Sequence, residues 1–450
     1  MGADERFDAV VIGAGPGGRN AAGGLVRAGL RTAMVENELV GGECPFWACI
    51  PSTTLLRPVE ARGEAGHVAG LERPGLHWDE VARYRDYMVS GHDDSAKSEK
   101  IRKAGIELVR GRGRLDGPGR VRVGERVLRA ERIVLAPGTT SALPPIDGLD
   151  AVDYWTNREA TALEEVPKSA VVLGAGPVGI ELGQMLARFG ARTTIVGSHP
   201  LLLPKETASV GRLLRELLEA EGIDVRTETK AVAVQAGGPG VRLRLEAGDP
   251  VEAERLVVAV GRRPRTDDLG LDSVGIEAAP DGTIPIDAHC QAGDGIWAVG
   301  DATGVALFTH VASYQARVAV DAVLGRPREA DYRAVPRVLF TDPEVAAVGD
   351  TPEQARERGV DTALATGALS DLDRTQTYGR DLQGAYGVVA DAAAGTVVGA
   401  WAVGPLASEW IHPIVLAIQA RTPLGVLGES MAQFPSFAEA WPMAARELSR

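Results

Sequence analysis

Two of the three cysteines in this 450-residue chain lie close enough together to act as a pair. Cys44 and Cys49 follow two glycines, whereas Cys290 stands alone. Their spacing is not typical of a zinc site, and no second pair could complete four ligands, so we predict no metal site. Two cysteines across the start of a helix can form a strained, exchangeable disulfide, and the helix N-terminus would lower the pKa of both thiols. We therefore predict redox chemistry at Cys44 and Cys49, with two buried structural thiols as the alternative, and a structural role for Cys290.

A glycine-rich turn precedes the cysteines. Residues 8–12 are apolar apart from Asp8 and predict a buried parallel strand, and the turn that follows contains Gly13, Gly15 and Gly18 before a helix of small residues. Such glycines permit a tight turn and let the backbone approach a pyrophosphate at the helix N-terminus. Glu36 lies at the end of the next strand, where a carboxylate can accept hydrogen bonds from a ribose. We predict a dinucleotide site here, with an ordinary glycine-rich turn as the alternative.

The same pattern recurs about 160 residues later. Residues 170–173 predict a strand, residues 180–189 predict a helix, and the turn between them contains Gly174, Gly176 and Gly179. This is a second copy of one supersecondary unit rather than a solenoid repeat. The sequence therefore predicts a second dinucleotide site.

The second copy differs from the first at the end of its second strand. Where the first copy has Glu36, this one has Gly197, followed by Ser198 and His199. The missing carboxylate removes repulsion toward a 2′-phosphate, which Ser198 or His199 could contact. This slightly favours NADPH over NADH, although no arginine of the kind usual at NADP sites is evident. In the alternative interpretation, Gly197 is a neutral turn residue and either nucleotide is used.

The composition excludes several classes of protein. The formal net charge of −13 argues against a nucleic-acid-binding surface and against attraction to anionic membranes. No apolar segment is long enough to span a membrane, and the first residues lack the basic and apolar regions of a signal peptide. We therefore expect a cytoplasmic protein that acts on a small molecule, without a nucleic-acid or membrane partner.

The motifs together resemble the pyridine nucleotide-disulfide oxidoreductase family, which includes dihydrolipoamide dehydrogenase, glutathione and mycothione reductases, and mercuric reductase. The resemblance extends over essentially the whole chain. It rests on residues 13–18, Glu36 and residues 41–52, 136–138, 174–181, 261–264, 299–302 and 340–344.

The resemblance implies an α/β fold with two Rossmann-type dinucleotide-binding domains and a C-terminal α+β dimerisation domain. The implied boundaries are residues 1–155 for the first part of the FAD-binding domain, 156–274 for the NAD(P)-binding domain, 275–334 for the second part of the FAD domain and 335–450 for the dimerisation domain. From about residue 335 the sequence lacks glycine-rich turns, and it ends in a helix that we expect to be polar. A homodimer is implied, because the tail of such proteins normally completes the partner's site.

The resemblance also implies roles for individual residues. The resemblance implies three further cofactor-binding residues: Gly138, Gly261 and Asp301. Of these, Asp301 would hold the FAD ribitol. In such enzymes hydride passes from nicotinamide to flavin, and the flavin reduces the disulfide through the nearer cysteine, here Cys49. Cys44 would then be the interchange thiol that meets the substrate, and Glu181 would lie beside the flavin N5 atom.

Two departures from the family pattern bear on catalysis. Thr53 stands where the family usually has a lysine paired with Glu181, so we expect Glu181 to be more easily protonated or to find another partner. Phe434 stands at the position of the C-terminal histidine, although the glutamate that usually accompanies it remains as Glu439. General acid–base help of this kind contributes about 10²–10⁴-fold. We therefore expect inefficient turnover of lipoamide or glutathione disulfide, unless His412 or a substrate group takes over.

The residues between the cysteines are also unusual. Phe46 and Trp47 replace small or polar residues, and they could stack on a planar substrate or simply pack a helix. We predict an NAD(P)H-dependent reductase that cycles FAD and the Cys44–Cys49 pair and acts on a disulfide, a dithiol or another small acceptor. The alternatives are a quinone-type reductase in which flavin reduces an aromatic substrate directly, and a weakly catalytic flavin redox sensor. A mercuric reductase would need a cysteine pair in the tail, where residues 444–450 contain none.

Overall fold

The computed structural model describes residues 5–238, 240–379 and 382–450. The strands, in chain order, are β1 (Glu5–Arg6), β2 (Ala9–Ile12), β3 (Thr32–Glu36), β4 (Glu107–Arg110), β5 (Gly113–Leu115), β6 (Arg120–Val123), β7 (Arg126–Arg129), β8 (Arg132–Leu135), β9 (Thr139–Ser141), β10 (Tyr154–Trp155), β11 (Ser169–Leu173), β12 (Arg192–Val196), β13 (Asp224–Arg226), β14 (Ala231–Gly237), β15 (Gly240–Leu245), β16 (Val251–Ala253), β17 (Arg255–Val258), β18 (Arg262–Pro264), β19 (Gln291–Gly293), β20 (Ile296–Ala298), β21 (Pro336–Leu339), β22 (Glu344–Gly349), β23 (Thr362–Ala368), β24 (Ala385–Asp391) and β25 (Thr396–Gly404).

The α-helices, in chain order, are α1 (Pro16–Arg27), α2 (Glu43–Trp47), α3 (Cys49–His67), α4 (Trp78–Met88), α5 (Ser95–Lys103), α6 (Asn157–Thr161), α7 (Pro177–Arg188), α8 (Ala208–Ala220), α9 (Thr309–Val323), α10 (Pro352–Glu357), α11 (Asp373–Gln376), α12 (Ala407–Trp410), α13 (His412–Gln419), α14 (Leu424–Gly428) and α15 (Ala440–Leu448). Within the described ranges, no helix is long and apolar enough to cross a membrane.

The chain forms two compact units, of which the first comprises Met1–Pro51, Arg83–Ala142 and Gly261–Ala330. Its main sheet has the strand order β19-β20-β8-β2-β3-β4, with β2 parallel to both β3 and β8. All four residues of β2 are buried, and alternate residues face opposite sides of the sheet. Val10 and Ile12 pack in one apolar cluster with β6 and β7, whereas Ala9 and Val11 pack in another with α1 and α9. Helices therefore cover one face of this sheet, and a second sheet of order β1-β7-β6-β5 covers the other.

The second unit comprises Ser52–Ala82, Leu143–Val260 and Asp331–Arg450. It contains a parallel sheet of order β10-β17-β11-β12-β13, built on the same plan as the main sheet of the first unit. Ala170 and Val172 of β11 pack with α7 and α8, whereas Val171 and Leu173 pack with the antiparallel sheet β14-β15-β16. The repeat seen in the sequence is therefore a repeat of structure.

The C-terminal part of the second unit is an antiparallel sheet of order β21-β22-β25-β24-β23. Helices α13 and α15 pack on it in one apolar cluster. The expectation of a polar final helix is wrong, because α15 buries Trp441, Ala444 and Ala445. The α/β class predicted from the sequence is confirmed.

Candidate active site

The first glycine turn combines two closely packed glycines with one open one. A Cβ atom at Gly13 would collide with the carbonyl oxygen of Ala136, and a Cβ atom at Gly18 would collide with the carbonyl oxygen of Gly13. At Gly15, by contrast, no atom lies within 4 Å of the Cβ position. Helix α1 starts at Pro16 with no side-chain cap and no acid in its first turn. The turn therefore leaves open space in front of unoccupied N–H groups, as an anion such as a pyrophosphate requires.

Glu36 is fixed at the end of β3 by two backbone N–H groups. Its Oε2 atom accepts a hydrogen bond from the Ala14 nitrogen, and its Oε1 atom accepts one from the Glu38 nitrogen, both at 2.7 Å. A carboxylate has about four lone-pair sites, so each oxygen can still accept a ribose hydroxyl. The sequence prediction of an oriented acid at this position fits the structure.

Asp301 lies in a partly buried network that also belongs to the first unit. The Thr139 hydroxyl donates to its Oδ2 atom at 3.0 Å and accepts from the Arg262 Nε–H group at 2.7 Å. Burial raises the pKa of Asp301, while the Thr139 hydrogen bond and the Arg262 charge oppose that rise. Asp301 is thus held by donors that stabilise its charged form in an otherwise unfavourable environment.

Gly138 and Gly261 flank the short strands that bring this network together. Strands β9 and β18 pair antiparallel, with Thr139 opposite Pro264. Gly138 and Gly261 have φ angles of 70° and 138°, and no atom lies within 4 Å of either Cβ position. Both glycines therefore provide the backbone turns and the open space that a bound cofactor would need.

The network continues to the residue before the first cysteine of the pair. Glu43 lies 3.4 Å from the guanidinium groups of both Arg262 and Arg265, and Arg265 also pairs with Glu38 at 3.1 Å. The sequence interpretation gave no role to Thr139, Arg262 or Glu43. Arg262 lies in the motif of residues 261–264, and Thr139 directly follows the motif of residues 136–138. The sequence motifs therefore pointed to both residues but did not indicate the contact between them.

The cysteine pair lies at the junction of two helices. Cys44 is in the short helix α2, and Cys49 is the first residue of α3. The two sulfurs form no disulfide in this structure, the two side chains are hydrogen-bonded to each other, and the Cys49 sulfur lies 3.7 Å from the Thr309 hydroxyl. The hydrogen bond from Cys49 is the main cause that lowers the pKa of Cys44 to about 7.

Cys49 shifts in the opposite direction. Its pKa is raised, first because its thiol is hydrogen-bonded to Cys44 and second because the surrounding protein desolvates the sulfur, although the residue as a whole is exposed. The expectation that the helix N-terminus lowers the pKa of both thiols is therefore wrong for Cys49. The hydrogen bond between the two sulfurs therefore favours ionisation of Cys44 over ionisation of Cys49. Cys290, the third cysteine, is fully buried in an apolar cluster, as expected for a structural residue.

Aromatic rings surround the segment between the cysteines. Phe46 is buried, and the Lys97 ammonium lies 4.3 Å from its ring centroid. Trp47 is only partly buried and stacks on His92 with a centroid distance of 5.6 Å. The Nε2 atom of His92 is buried and has no hydrogen-bond partner among the described residues. Phe46 is thus a packing residue, whereas Trp47 and His92 form a partly exposed stacked pair that sequence reasoning missed.

The second glycine turn, in the second unit, repeats the geometry of the first. A Cβ atom at Gly174 would collide with the Ala259 carbonyl, and one at Gly179 with the Gly174 carbonyl, while the position at Gly176 is open. Helix α7 starts at Pro177 without a side-chain cap or an acid in its first turn. The residues present fit a second dinucleotide phosphate.

The strand next to this turn ends without an acid, as the sequence shows. Gly197 is buried, and a Cβ atom there would press on the Ala175 side chain of the glycine turn. Ser198 and His199, the next two residues, are exposed. Gly197 is therefore required by packing, and the two residues after it are free to meet solvent or a ligand.

Glu181 of α7 has a backbone partner in place of the family's lysine. Its Oε1 atom accepts a hydrogen bond from the Phe340 nitrogen at 2.8 Å. Burial raises the pKa of Glu181 to about 7, against the opposing effect of that hydrogen bond. The sequence led us to expect one of two outcomes: the Phe340 N–H group is such another partner, and the direction of the pKa shift agrees with easier protonation.

Glu439 serves a local structural purpose in this structure. Its Oε2 atom accepts a hydrogen bond from the Ser436 nitrogen at 2.9 Å, which completes a capping arrangement just before α15. Phe434, at the position of the missing histidine, has 71% of its surface exposed. The tail therefore presents an apolar ring at the position where the family has a base.

The predicted site residues are divided between the two compact units. The first unit holds Gly13, Gly15, Gly18, Glu36, Cys44, Cys49, Gly138, Gly261 and Asp301. The second unit holds Gly174, Gly176, Gly179, Glu181, Ser198, His199 and Glu439. Among the described residues, no cluster of histidine, cysteine and acidic side chains could hold a metal ion.

Comparison with known proteins identifies the family. Residues 7–316 match the model of pyridine nucleotide-disulphide oxidoreductases, and residues 335–445 match the dimerisation domain of the same family. The dihydrolipoyl dehydrogenase of Thermus scotoductus is 33% identical, with 99% of this chain and 98% of that protein covered. The dihydrolipoyl dehydrogenase of Chlorobaculum tepidum is 35% identical, with 96% and 95% covered. The solved structure of LpdA from Mycobacterium tuberculosis has a TM-score of 0.88 at 26% identity, with 99% of each chain covered.

These matches settle the class of the protein. The family implies FAD and a pyridine nucleotide as cofactors, which agrees with two open glycine turns and with the residues around Asp301. The matched dimerisation domain supports a homodimer. The chain belongs to the pyridine nucleotide-disulphide oxidoreductase family of enzymes.

Proposed function

We propose that the protein oxidises NAD(P)H and passes the electrons through FAD and the Cys44–Cys49 pair to a small disulfide or related acceptor. In the reverse direction the same pair would oxidise a small dithiol. The observation that carries this proposal is the hydrogen-bonded cysteine pair at the start of α3, in which the pKa of Cys44 is lowered to about 7. A thiol with that pKa is about half ionised at neutral pH and is a nucleophile without a separate base. Bound FAD would accept a hydride from the nicotinamide and reduce the cysteine disulfide.

The residues that would hold the two cofactors lie at and beside the two glycine turns that leave open space, and around Asp301. The turn around Gly15 and the carboxylate of Glu36 would bind the FAD pyrophosphate and ribose, and Asp301 would bind the ribitol. The turn around Gly176 would bind the pyrophosphate of the nicotinamide nucleotide, with Ser198 and His199 beside its ribose.

The two cysteines have different tasks in this proposal. Cys44 is the interchange thiol, because its sulfur accepts the hydrogen bond and becomes the thiolate. Cys49 is the flavin-side thiol; its raised pKa favours the protonated form, and its ionisation beside the bound flavin is what the titration below would detect. The missing histidine is then not needed to ionise Cys44, but it would still be needed to protonate a leaving thiolate. This argues for an acceptor whose product is a stable anion or acquires its proton from solvent.

The experiment is an anaerobic NADPH titration of the FAD-loaded protein. A long-wavelength thiolate-to-flavin charge-transfer band supports the proposal, and it should disappear in Cys49→Ser. Cys44→Ser should retain flavin reduction and lose disulfide turnover. Simple bleaching of the flavin in the wild type, with no such band, would argue against electron flow to the cysteines.

A second candidate is a quinone-type reductase in which the flavin reduces an aromatic acceptor directly. The stacked pair of Trp47 and His92 and the exposed ring of Phe434 favour a flat, apolar substrate. Cys44→Ser distinguishes the two candidates, because quinone reduction would survive this change. A third candidate, a flavin redox sensor, would bind FAD but show negligible steady-state NAD(P)H oxidation with any acceptor.

We further propose that NADPH is slightly preferred over NADH. The support is the absence of an acid after β12, where Gly197 is followed by the exposed Ser198 and His199. The ratio of kcat/KM for NADPH and NADH tests this. His199→Glu should lower the value for NADPH while leaving that for NADH within about twofold, because it places a negative charge beside the 2′-phosphate.

A further inference from the structure

One face of α7 holds the connection between β21 and β22. Residues 340–343 form this connection and lie outside the ladder that pairs the two strands. Glu181, Gln184 and Arg188 are spaced three and four residues apart along α7, which places their side chains on the same face of the helix. All three form hydrogen bonds with the connection. The chain segment that binds the Glu181 carboxyl is therefore also bound by two further side chains of the same helix.

Gln184 binds both backbone polar groups of Asp342. Its Nε2 atom donates to the Asp342 carbonyl at 2.8 Å, and its Oε1 atom accepts from the Asp342 nitrogen at 2.9 Å. The Nε2 atom also donates to Glu221 at 3.0 Å, and only 1% of the surface of Gln184 is exposed. The amide thus uses both of its donors and accepts one hydrogen bond. Asp342 cannot change its backbone position without breaking two of these bonds.

Arg188 fixes the side chain of the same residue. Its Nη1 atom donates to the Asp342 Oδ2 atom at 2.6 Å, and its Nη2 atom donates to the Asp342 carbonyl at 3.0 Å. The guanidinium is itself anchored by Glu221, to which Nε and Nη2 donate at 2.8 and 2.7 Å. Charge-assisted hydrogen bonds of this kind are stronger than neutral ones. Asp342 is therefore fixed by its backbone and by its carboxylate, two residues after the N–H group that binds Glu181.

We propose that Gln184 is a positioning residue which, together with Arg188, keeps the Phe340 N–H group on the Glu181 carboxyl in place of the absent family lysine. The inference rests on the proposed function only insofar as Glu181 lies beside the flavin when NAD(P)H reduces it. Thr53 supplies no charge at the lysine position, so a neutral backbone donor orients the carboxyl. Such a donor keeps its direction when the chain is fixed on both sides. The ladder of β21 fixes one side, and the Gln184 amide fixes the other.

The charged side chains around Glu181 do not take over this task. Burial raises the pKa of Glu181 and the backbone hydrogen bond opposes that rise, and no charged group among the described residues adds to these two causes. Charged side chains on the neighbouring elements are paired with one another: Arg188 with Glu221 and Asp342, Arg57 with Glu60, and Arg337 with Glu206. Glu344, the buried acid of β22, accepts a hydrogen bond from the Ser408 nitrogen. The ionisation of Glu181 therefore depends on the placement of one N–H group.

The test measures how the protonation of Glu181 depends on Gln184. Urea unfolding of the FAD-loaded protein is followed from pH 5 to 10 with and without Glu181→Gln, first in the wild type and then in Gln184→Met, which keeps a side chain of similar volume. The stability difference within each pair should change with rising pH until the carboxyl is ionised, at about pH 7 in the wild type. In Gln184→Met it should level off about one pH unit higher, because a donor that stabilises the charged form is loosened.

Gln354→Met is the matched control. Gln354 also accepts a hydrogen bond from a backbone nitrogen, that of Thr351 at 2.9 Å, but it is exposed on α10. Its replacement should leave the levelling-off at about pH 7. An unmoved value in Gln184→Met with normal flavin content would overturn the proposal. If Gln184→Met does not fold, Arg188→Met decides: levelling-off about half a pH unit higher is expected, because one of the two side chains that hold Asp342 is lost, and no change overturns the proposal.

Stopped-flow reduction of the flavin by NADPH separates this proposal from the proposed function. The pH midpoint of the reduction rate should move upward in Gln184→Met together with the levelling-off in urea. Failure of NADPH to reduce the wild-type flavin contradicts the proposed function, whereas the urea series still tests Gln184. A levelling-off that moves while the midpoint of flavin reduction stays unchanged supports the positioning of Glu181 and contradicts its place beside the flavin.

Discussion

The Oε1 atom of Glu181 lies 2.8 Å from the backbone nitrogen of Phe340, and this N–H group is the donor that orients the carboxyl. The family's lysine is absent, because Thr53 occupies its position. A single backbone hydrogen bond does not offset the loss of hydration, so the pKa of Glu181 rises to about 7. The protein thus holds a carboxyl whose charge changes near neutral pH.

Glu181→Gln should make stability less dependent on pH. The pKa of Glu181 is raised in the folded protein, so the folded state binds more protons than the unfolded state between about pH 4.3 and the folded value of about 7. The contribution of the neutral carboxyl is therefore fully present below that window and is lost as pH rises through it. The free-energy difference amounts to at most about 3 kcal/mol, because the side chain retains some exposure.

Urea unfolding of both proteins from pH 4 to 9 checks this prediction. The wild type should lose stability relative to Glu181→Gln up to about pH 7, and the difference should then level off. Glu216→Gln, at an exposed site on α8, should run parallel to the wild type. A constant difference between wild type and Glu181→Gln across the whole range would contradict a raised pKa.

The glycine turns could be predicted from the sequence because their geometry is local. Gly13 and Gly18 are required by contacts within a few residues or with the adjacent strand, and the spacing alone encodes them. The departures at Thr53 and Phe434 could be predicted for the same reason, since each replaces one chemical group by another at a fixed motif position. The resulting prediction for Glu181 was correct in direction.

The contacts around the cysteines and Asp301 could not be predicted in this way. Thr139 and Asp301 are 162 residues apart, and nothing in either motif specifies that the hydroxyl of one donates to the carboxylate of the other. Burial is also a tertiary property. The helix N-terminus alone predicts a lowered pKa for Cys49, but the hydrogen bond to Cys44 and desolvation raise it. The prediction of a polar α15 failed because the helix is amphipathic and buries Trp441 together with its alanines.

Alanine substitutions at Gly176 and Gly179, in the turn that would bind the nicotinamide nucleotide, should separate an effect on nucleotide binding from an effect on protein stability. Gly179→Ala places a methyl group against the Gly174 carbonyl and should lower the Tm, whereas Gly176→Ala meets no protein atom within 4 Å. Gly176→Ala should therefore keep the wild-type Tm and flavin content but raise the KM for NADPH by about tenfold, because the methyl group occupies space for the pyrophosphate. Thermal unfolding and steady-state kinetics measure both effects. Equal loss of stability in the two variants would contradict the open geometry at Gly176.

Thr139→Val should weaken FAD binding. The hydroxyl donates to Asp301 and accepts from Arg262, so its removal takes one donor from the Asp301 carboxylate and the acceptor from the Arg262 Nε–H group. Hydrogen bonds to charged groups contribute about 1.5–3 kcal/mol, and we expect the Kd for FAD to rise by about 10–100-fold. Reconstitution of the flavin-free protein, followed by fluorescence, measures this Kd. Thr140→Val, at the adjacent exposed threonine, is the control and should change it less than twofold.

Phe434→His should increase turnover of a disulfide substrate. The side chain at this position is exposed, so an imidazole can replace the ring without disturbing the core, and Glu439 remains in the same tail segment. An imidazole at the family position can take a proton from the interchange thiol and return it to the leaving thiolate. We therefore expect a gain of up to about 10²-fold in kcat with lipoamide or glutathione disulfide. Phe434→Tyr adds a polar group without a base of suitable pKa and should give no gain.

The gain should also be absent when Cys44→Ser is added, because the proton transfer serves the exchange at that thiol. A gain that survives this second change would place the imidazole in some other step, such as the direct reduction of an acceptor by the flavin.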